Sequence, residues 1–304
     1  MADLSVCIVN WNTRAHLKAC LESLAAHAES LQLEVIVVDN ASTDGSAEMV
    51  RESFPQVRLL ANEENVGYAR GNNQALAQAS ADYAMLLNPD TTVRPGTLQG
   101  LLACAERHPR AGAVAPKLVY PDGRLQPSCR TFPTPDVVFY EILGLSRLMP
   151  RSRIFGKYRM TWWDYGDERP VEQPMASALL LRKAALEEVG YFDEAFPIFF
   201  NDVDLCKRMW DAGWQIWFTP CAVVTHFHGA STRQVRRAMI AESHRSWIRF
   251  YEKHYRGRIS PLAYWAAVLS LKLALHLRMA WAAVTSRQEI LAGAAAAGLG
   301  RWTV

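Results

Sequence analysis

The sequence predicts an α/β protein built on a mainly parallel sheet and followed by a helical C-terminal region. Three observations lead there. Short runs rich in Val, Ile and Leu alternate with amphipathic segments through the first half of the 304 residues, the pattern of strands buried on both faces and joined by crossover helices. Half of the residues are hydrophobic and about a fifth are charged, which allows a substantial core. Beyond residue 232 a basic stretch gives way to a long apolar one, so the chain divides into 1–232 and 233–304.

The strands of the first half are "LSVCIVN" (4–10), "EVIVVDN" (34–40), "VRLLAN" (57–62) and "DYAMLLN" (82–88). Between them, one helix follows Thr13 with Leu17, Leu21, Leu24 and Ala28 on one face, a second begins near Ser46, and a third runs from Tyr68 to Ala79. Strand, helix, strand repeated in this way gives parallel, right-handed connections. "GAVAPKLVYPDGRLQ" reads as a strand, a Pro-Asp-Gly turn and a return strand. Residues 130–172, rich in Pro, Arg and aromatics, carry no periodicity and read as loop. "MASALLLRKAALEEVGYFDEAF" resumes as a strand, a helix ended by Gly190, and a turn. In "FFNDVDLCKRMWDAG" (199–213) a helix begins with Asp202 as N-cap. Asp204 would pair with Arg208 one turn on, Leu205, Met209 and Ala212 would form the buried stripe, and Gly213 would stop the helix. "WQIWFTP" and "AVVTHFHGAST" follow as strands.

Ligands of parallel α/β sheets gather at the carboxyl ends of the strands. Here those ends are Asn10-Trp11-Asn12, Asp39-Asn40 and Asn88-Pro89-Asp90. No GxGxxG follows the first strand and there is no P-loop lysine, which argues against a dinucleotide-binding domain. Asp39 is placed to accept hydrogen bonds from a nucleobase or ribose, or to be a buried structural carboxylate. Asn88 and Asp90 offer two side-chain oxygens suited to a hard divalent cation carrying phosphate, or form an Asx turn. His226 and His228 alternate along a strand and face one side, as metal ligands or as packing residues. The six cysteines show no CxxC and no metal-ligand spacing, and Cys7 and Cys206 read as small core residues. The sequence opens "MADLSVCIVNWN" with no basic leader, so a reduced, cytoplasmic setting is expected. A net charge of +3 calls for no nucleic-acid partner.

In order, "SVCIVNWN", "VVDNASTDGS", "NVGYARGNNQAL", "LLNPDT", "ASALLLRK", "VGYFDEAF", "FFNDVDLCKRMWDAGW" and "THFHGAS" resemble the family 2 glycosyltransferases of GT-A fold, and among them the rhamnosyltransferase-like branch of bacterial surface-polysaccharide synthesis. The resemblance spans about residues 4 to 232. It implies a Rossmann-like nucleotide-binding half joined to an acceptor-side half, and an inverting, metal-dependent transfer, with dTDP-rhamnose as donor and a lipid-linked glycan as acceptor. Asp39 would hold the base; Val9, Asn10, Trp11, Arg70 and Asn88 would complete the donor site. Asp90 would bridge Mg²⁺ or Mn²⁺ to the diphosphate, with His226 or His228 assisting, and Asp202 would be the catalytic base, leaving Asp204 and Arg208 to orient its helix. Two positions depart from the pattern. Asn88 and Asn201 stand where the family often has carboxylates, so a non-catalytic nucleotide-sugar-binding module is the alternative, and another donor sugar is the alternative within the enzyme class.

In the C-terminal region, "LAYWAAVLSLKLALHLRMAWAAV" (262–284) is long enough to span a bilayer, but Lys272, His276 and Arg278 lie inside it. Each such Lys or Arg costs about 2.5–3.5 kcal/mol on insertion scales. A helix lying on the membrane surface, beneath the basic stretch 233–258, fits better. That placement suits a polyprenyl-diphosphate acceptor and a protein peripheral at the inner face of the cell membrane. The alternative is a helical pair packed on the domain or on a second copy, giving a homodimer. Gln234 and Arg237 have the spacing of the Q-x-x-R-W motif of processive synthases, but Ala238 replaces its Trp, which favours single addition.

Overall fold

The computed structural model describes residues 2–227 and 236–296, in two compact units, Met1–Arg233 and Gln234–Val304. The first unit opens with Leu4–Asn10 (β1), Arg14–His27 (α1), Leu33–Asn40 (β2), Ser46–Ser53 (α2), Arg58–Asn62 (β3), Tyr68–Gln78 (α3) and Tyr83–Leu87 (β4). It continues through Thr91–Val93 (β5), Thr97–Arg107 (α4), Ala111–Val119 (β6), Cys129–Arg130 (β7), Pro135–Ile142 (α5) and Leu145–Leu148 (α6). Arg169–Pro170 (β8), Gln173–Pro174 (β9), Ala178–Arg182 (β10), Lys183–Val189 (α7), Asn201–Asp211 (α8) and Gln215–His226 (β11) complete it.

The main sheet runs β3-β2-β1-β4-β10-β6-β11-β5, with β8 also on β11, while β7 and β9 form a separate ribbon. β1 to β4 pair in parallel, β10 is antiparallel to both neighbours, and β11 is parallel to β6. Every residue of β1 is buried. One face packs Leu4, Val6 and Ile8 with Leu17, Leu21 and Leu24 of α1 and Leu98 and Leu101 of α4, so the heptad-like spacing of α1 is its core stripe. On the other face, the absent side chain of Gly71 lets α3 close on the tip of β1: a Cβ there would stand 2.9 Å from Val9 Cγ1. The strand order reverses direction at β1, between β2 and β4, which makes the crevice at their carboxyl ends the ligand position of such sheets.

Four sequence expectations change. The return strand after the Pro-Asp-Gly turn is a single bridge, Val119 to Leu125, because β10 and β11 flank β6. The two C-terminal strand runs are one strand, β11, with a register shift between Thr219 and Val223 that accommodates Pro220. Residues 130–172 hold two helices and two short strands. Finally, the N-cap of α8 is Phe200 in the left-handed region, φ 66°, so Asp202 lies inside the first turn with its side chain available for other work.

In the second unit, Arg236–His254 (α9) packs on Pro261–Ala296 (α10). Phe250, Tyr251, Val268 and Leu271 are buried there, whereas Leu262, Trp265, Leu269, Leu273 and Leu277, spaced three and four residues apart, are exposed. Among the described residues no helix is long and apolar enough to cross a membrane.

Candidate active site

The strand-end residues named by the sequence meet at one edge of the sheet. Asn10 and Asp39 are register partners at the tips of β1 and β2. Asn10 Nδ2 donates to Asp39 Oδ1 at 2.7 Å, and the Ser42 N–H donates to Asp39 Oδ2 at 2.9 Å. Thr13 Oγ1 in turn donates to Asn10 Oδ1 at 2.6 Å. Asp39 is thus fixed in orientation, yet each carboxylate oxygen keeps a second lone pair for a ligand. Asn12 and Ala41, which follow the two tips, both adopt positive φ, 52° and 55°. Trp11 is half-buried beside them, and Arg70 is exposed on the first turn of α3.

The loop from β4 to β5 brings Asn88 and Asp90 to the same edge. The Asn88 N–H donates to Ser177 O at 2.8 Å, while its buried Oδ1 has no hydrogen-bond partner. Asp90 is buried, and His226 Nε2 at the end of β11 lies 3.4 Å from Asp90 Oδ1. The other ring nitrogen of His226, Nδ1, is held by Gln126 Oε1 at 2.9 Å. A carboxylate, an orphaned amide oxygen and an imidazole nitrogen anchored from behind make a donor set that fits a divalent cation. His228 lies outside the described residues. Among the described residues a different trio, Cys104, His108 and Glu168, brings three ligand atoms within 4.8 Å of one another. That cluster sits at the opposite edge of the sheet, where Glu168 is bound by Arg107 at 2.8 Å and His108 stacks on Trp217.

Asp202 reaches the edge from α8. Its Oδ2 accepts from the Ala176 N–H at 3.3 Å and its Oδ1 from the Val203 N–H at 2.9 Å. Burial pushes this carboxyl above the usual range, against the opposing pull of those N–H groups and of Arg130. A carboxylate whose charge is costly in place is a stronger proton acceptor than an exposed one. Asp204, two residues on, is fully buried and paired with Arg208 at 2.8 Å, and Arg208 also donates to the carbonyls of Val189, Gly190 and Tyr191. The helix then ends in a Schellman turn, Trp214 N to Met209 O and Gly213 N to Trp210 O.

The two departures from the family pattern have different explanations. Asn201 Nδ2 donates to Phe196 O and Ile198 O, closing the turn that precedes α8; a carboxylate could not donate there. At Asn88 the buried side-chain oxygen has no hydrogen-bond partner, so an acceptor survives the loss of charge.

Three contributors escaped the sequence reading. Tyr68 Oη donates to Ala176 O at 3.0 Å, next to the N–H that holds Asp202. Pro197 O accepts from the N–H groups of Tyr68 and Ala69, capping α3 with the loop that leads to Asp202. Gln126 orients His226. Only Tyr68 carried a signal, its place in "NVGYARG"; the other two depend on long-range packing.

A family model of glycosyl transferase family 2 matches residues 5–165. The N-acetylglucosaminyl-diphospho-decaprenol L-rhamnosyltransferase of Mycobacterium tuberculosis is 32% identical over 302 residues, covering 95% of this chain and 96% of that one. Among solved structures, a mannosyltransferase from Pyrobaculum calidifontis in complex with GDP-Man and Mn²⁺ superposes with a TM-score of 0.56 at 21% identity, over 97% of this chain and 76% of that one. GalNAc-T7 with UDP, GalNAc and Mn²⁺ gives 0.59 at 14% identity, over 84% and 49%. At those identities the two structures establish the fold as GT-A.

Proposed function

The chain belongs to glycosyl transferase family 2 and is a glycosyltransferase; from that premise we propose that it transfers L-rhamnose from dTDP-rhamnose to a glycan carried on a lipid diphosphate, in one displacement with inversion. The observation that carries the mechanism is the half-buried carboxylate of Asp202, held by two backbone N–H groups, with the His226–Asp90 pair at the carboxyl end of the same sheet. A sugar hydroxyl is a poor nucleophile, so a positioned base must take its proton as it attacks the anomeric carbon. Asp202 has the raised basicity for this, and the Ala176 and Val203 N–H groups aim its oxygens. Asp39, with Val9, Asn10, Trp11, Arg70 and Asn88, binds the nucleotide end of the donor.

Asp90, Asn88 Oδ1 and His226 Nε2 would hold Mg²⁺ or Mn²⁺. When bound, such an ion stabilises the negative charge that gathers on the departing diphosphate. The acceptor named for the mycobacterial relative, an N-acetylglucosaminyl-diphospho-decaprenol, and the Mn²⁺ of both structural neighbours support this reading. The exposed stripe of α10 from Leu262 to Leu277 supports peripheral association of residues 233–304 with the inner membrane face that would hold such an acceptor.

A donor screen tests the proposal. Purified protein with Mg²⁺ or Mn²⁺ meets dTDP-rhamnose, UDP-glucose, UDP-GlcNAc and GDP-mannose, with diphosphate release and thermal shift recorded. Metal-dependent stabilisation and release with dTDP-rhamnose alone is the expected result. Preference for another donor overturns the sugar and leaves the enzyme class intact. Equal stabilisation with and without metal overturns the role of Asp90 and His226.

A further inference from the structure

The segment between β7 and β8 leaves large apolar side chains in water. Phe139, Ile142 and Leu143 on and after α5, Leu148 and Met149 at the end of α6, and Ile154 beyond it are all exposed, Leu143 by 68% and Leu148 by 77%. Six such groups within sixteen residues exceed the scattered apolar exposure that surfaces ordinarily carry. Cations intersperse them. Arg147, Arg151 and Arg153 are exposed, and no acid occurs between Glu141 and Asp164. The neighbouring acids are already committed, Glu141 to Arg159 and Asp136 to Lys157. Among the described residues none of the three arginines forms an ion pair with a carboxylate. The surface is therefore apolar and positive together, the composition that enters the interface of an anionic bilayer.

Its place in the fold gives that composition a purpose. The segment leaves the ribbon at Arg130, whose charge favours ionised Asp202, and it folds back so that Tyr158 O accepts from the Thr131 N–H. The partner strand of that ribbon, β9, lies two residues before Ala176, the donor to Asp202 Oδ2. The patch is thus rooted beside the residue that the acceptor hydroxyl must reach.

We propose that residues 139–154 are a docking surface for an anionic lipid bilayer, which sets the Asp202 side of the catalytic unit against the membrane that holds the acceptor. This rests on the lipid-linked acceptor proposed above. It adds a contact in the first unit, separate from the stripe of α10. The arginines meet headgroup phosphates while Leu143, Leu148 and Ile154 enter the acyl boundary, so a diphosphate-linked glycan rises from the bilayer close to the base.

The test is flotation of the full chain with vesicles of phosphatidylcholine alone or mixed 7:3 with phosphatidylglycerol. Leu143→Glu with Leu148→Glu is expected to lower partition about tenfold or more. Arg147→Gln, Arg151→Gln and Arg153→Gln together are expected to remove the preference for the anionic vesicles. All five side chains are exposed, so thermal melting serves as the folding control. Transfer to a short water-soluble acceptor stays at the wild-type rate in the double Leu variant, while transfer to an acceptor in anionic vesicles falls with partition. If both variants float like the wild type, the proposal is overturned. It is equally overturned if the variants change only self-association in sedimentation velocity, which makes the patch an interface between copies. If no acceptor takes sugar from the wild type, yet flotation still depends on the patch, the docking surface stands and the acceptor reading falls.

Discussion

The two sides of the candidate site are built by different means. On the proposed donor side, residues 4–93, the candidate groups stand at the tips of parallel strands whose register fixes them: Asn10 faces Asp39 because the β1–β2 ladder runs unbroken to its last pair. On the proposed acceptor side, residues 129–202, the strands β7 and β9 are two residues long, and side chains do the holding. Trp163 stacks on Tyr165 at 4.1 Å, Arg130 lies over Tyr158, and Arg159 grips Glu141 through two nitrogens. A ladder places atoms through backbone geometry common to many sequences, whereas stacked side chains place them through pairings particular to one chain.

The sharpest test of that contrast is within α8, where two carboxylates two residues apart serve the two purposes. Asp202→Asn is expected to lower transfer by about 10²–10⁴-fold, the usual loss for a general base, while donor still raises the melting temperature. Its folded state is expected to be as stable as wild type or more so. The sign follows from the raised pKa: burial disfavours ionised Asp202 in the fold, so at neutral pH its charge costs stability that a neutral amide does not. The same shift sets the pH profile. Activity requires the ionised form, so the acid limb of kcat/KM lies above the ordinary carboxylate range and disappears in the variant. Transfer within tenfold of wild type would remove Asp202 from the mechanism.

Asp204→Ala should do the reverse. It strands the Arg208 guanidinium, whose side chain is only 19% exposed, at a cost of about 3–5 kcal/mol in urea unfolding. The remaining folded protein should turn over normally. A variant that kept its stability but lost activity would show that the ion pair acts in the chemistry.

How far the sequence could be read follows the same division. The parallel strands, α1 to α3 and the tips at Asn10, Asp39 and Asp90 were visible because hydrophobic period and strand-end position are local signals. The Asp204–Arg208 pair was visible because one helical turn separates its members. The N-cap of α8 was not, since a left-handed Phe200 is set by Asn201 closing the turn behind it. Likewise, α5 and α6 were hidden among aromatics and arginines whose partners lie elsewhere in the chain. The bond between His226 and Gln126 spans 100 residues, and no spacing rule reaches that far.

Gly71→Ala probes the donor side alone. Its Cβ would meet Val9 Cγ1 at 2.9 Å and Cγ2 at 3.1 Å, forcing α3 away from the tip of β1. Overpacking of this kind costs about 1–3 kcal/mol. Because Val9 borders the proposed nucleotide pocket, the KM for donor should rise while kcat with saturating donor stays near wild type. An unchanged KM would mean that the tip of β1 does not touch the donor.

The smallest expected effect lies where the two sides meet. Tyr68 belongs to α3 on the donor side, yet its hydroxyl donates to Ala176 O, on the loop whose N–H holds Asp202 Oδ2. Tyr68→Phe removes one hydrogen bond and should cost about 1 kcal/mol of stability. The loop at Ala176 loosens, its N–H supports the ionised carboxylate less, and the Asp202 pKa rises further. Since the ionised form is the active one, the acid limb of kcat/KM should move to higher pH, with the rate on the plateau little changed. A purely structural role for Tyr68 predicts the stability loss without the displaced limb. The limb therefore reports whether the donor-side helix sets the basicity of the acceptor-side base.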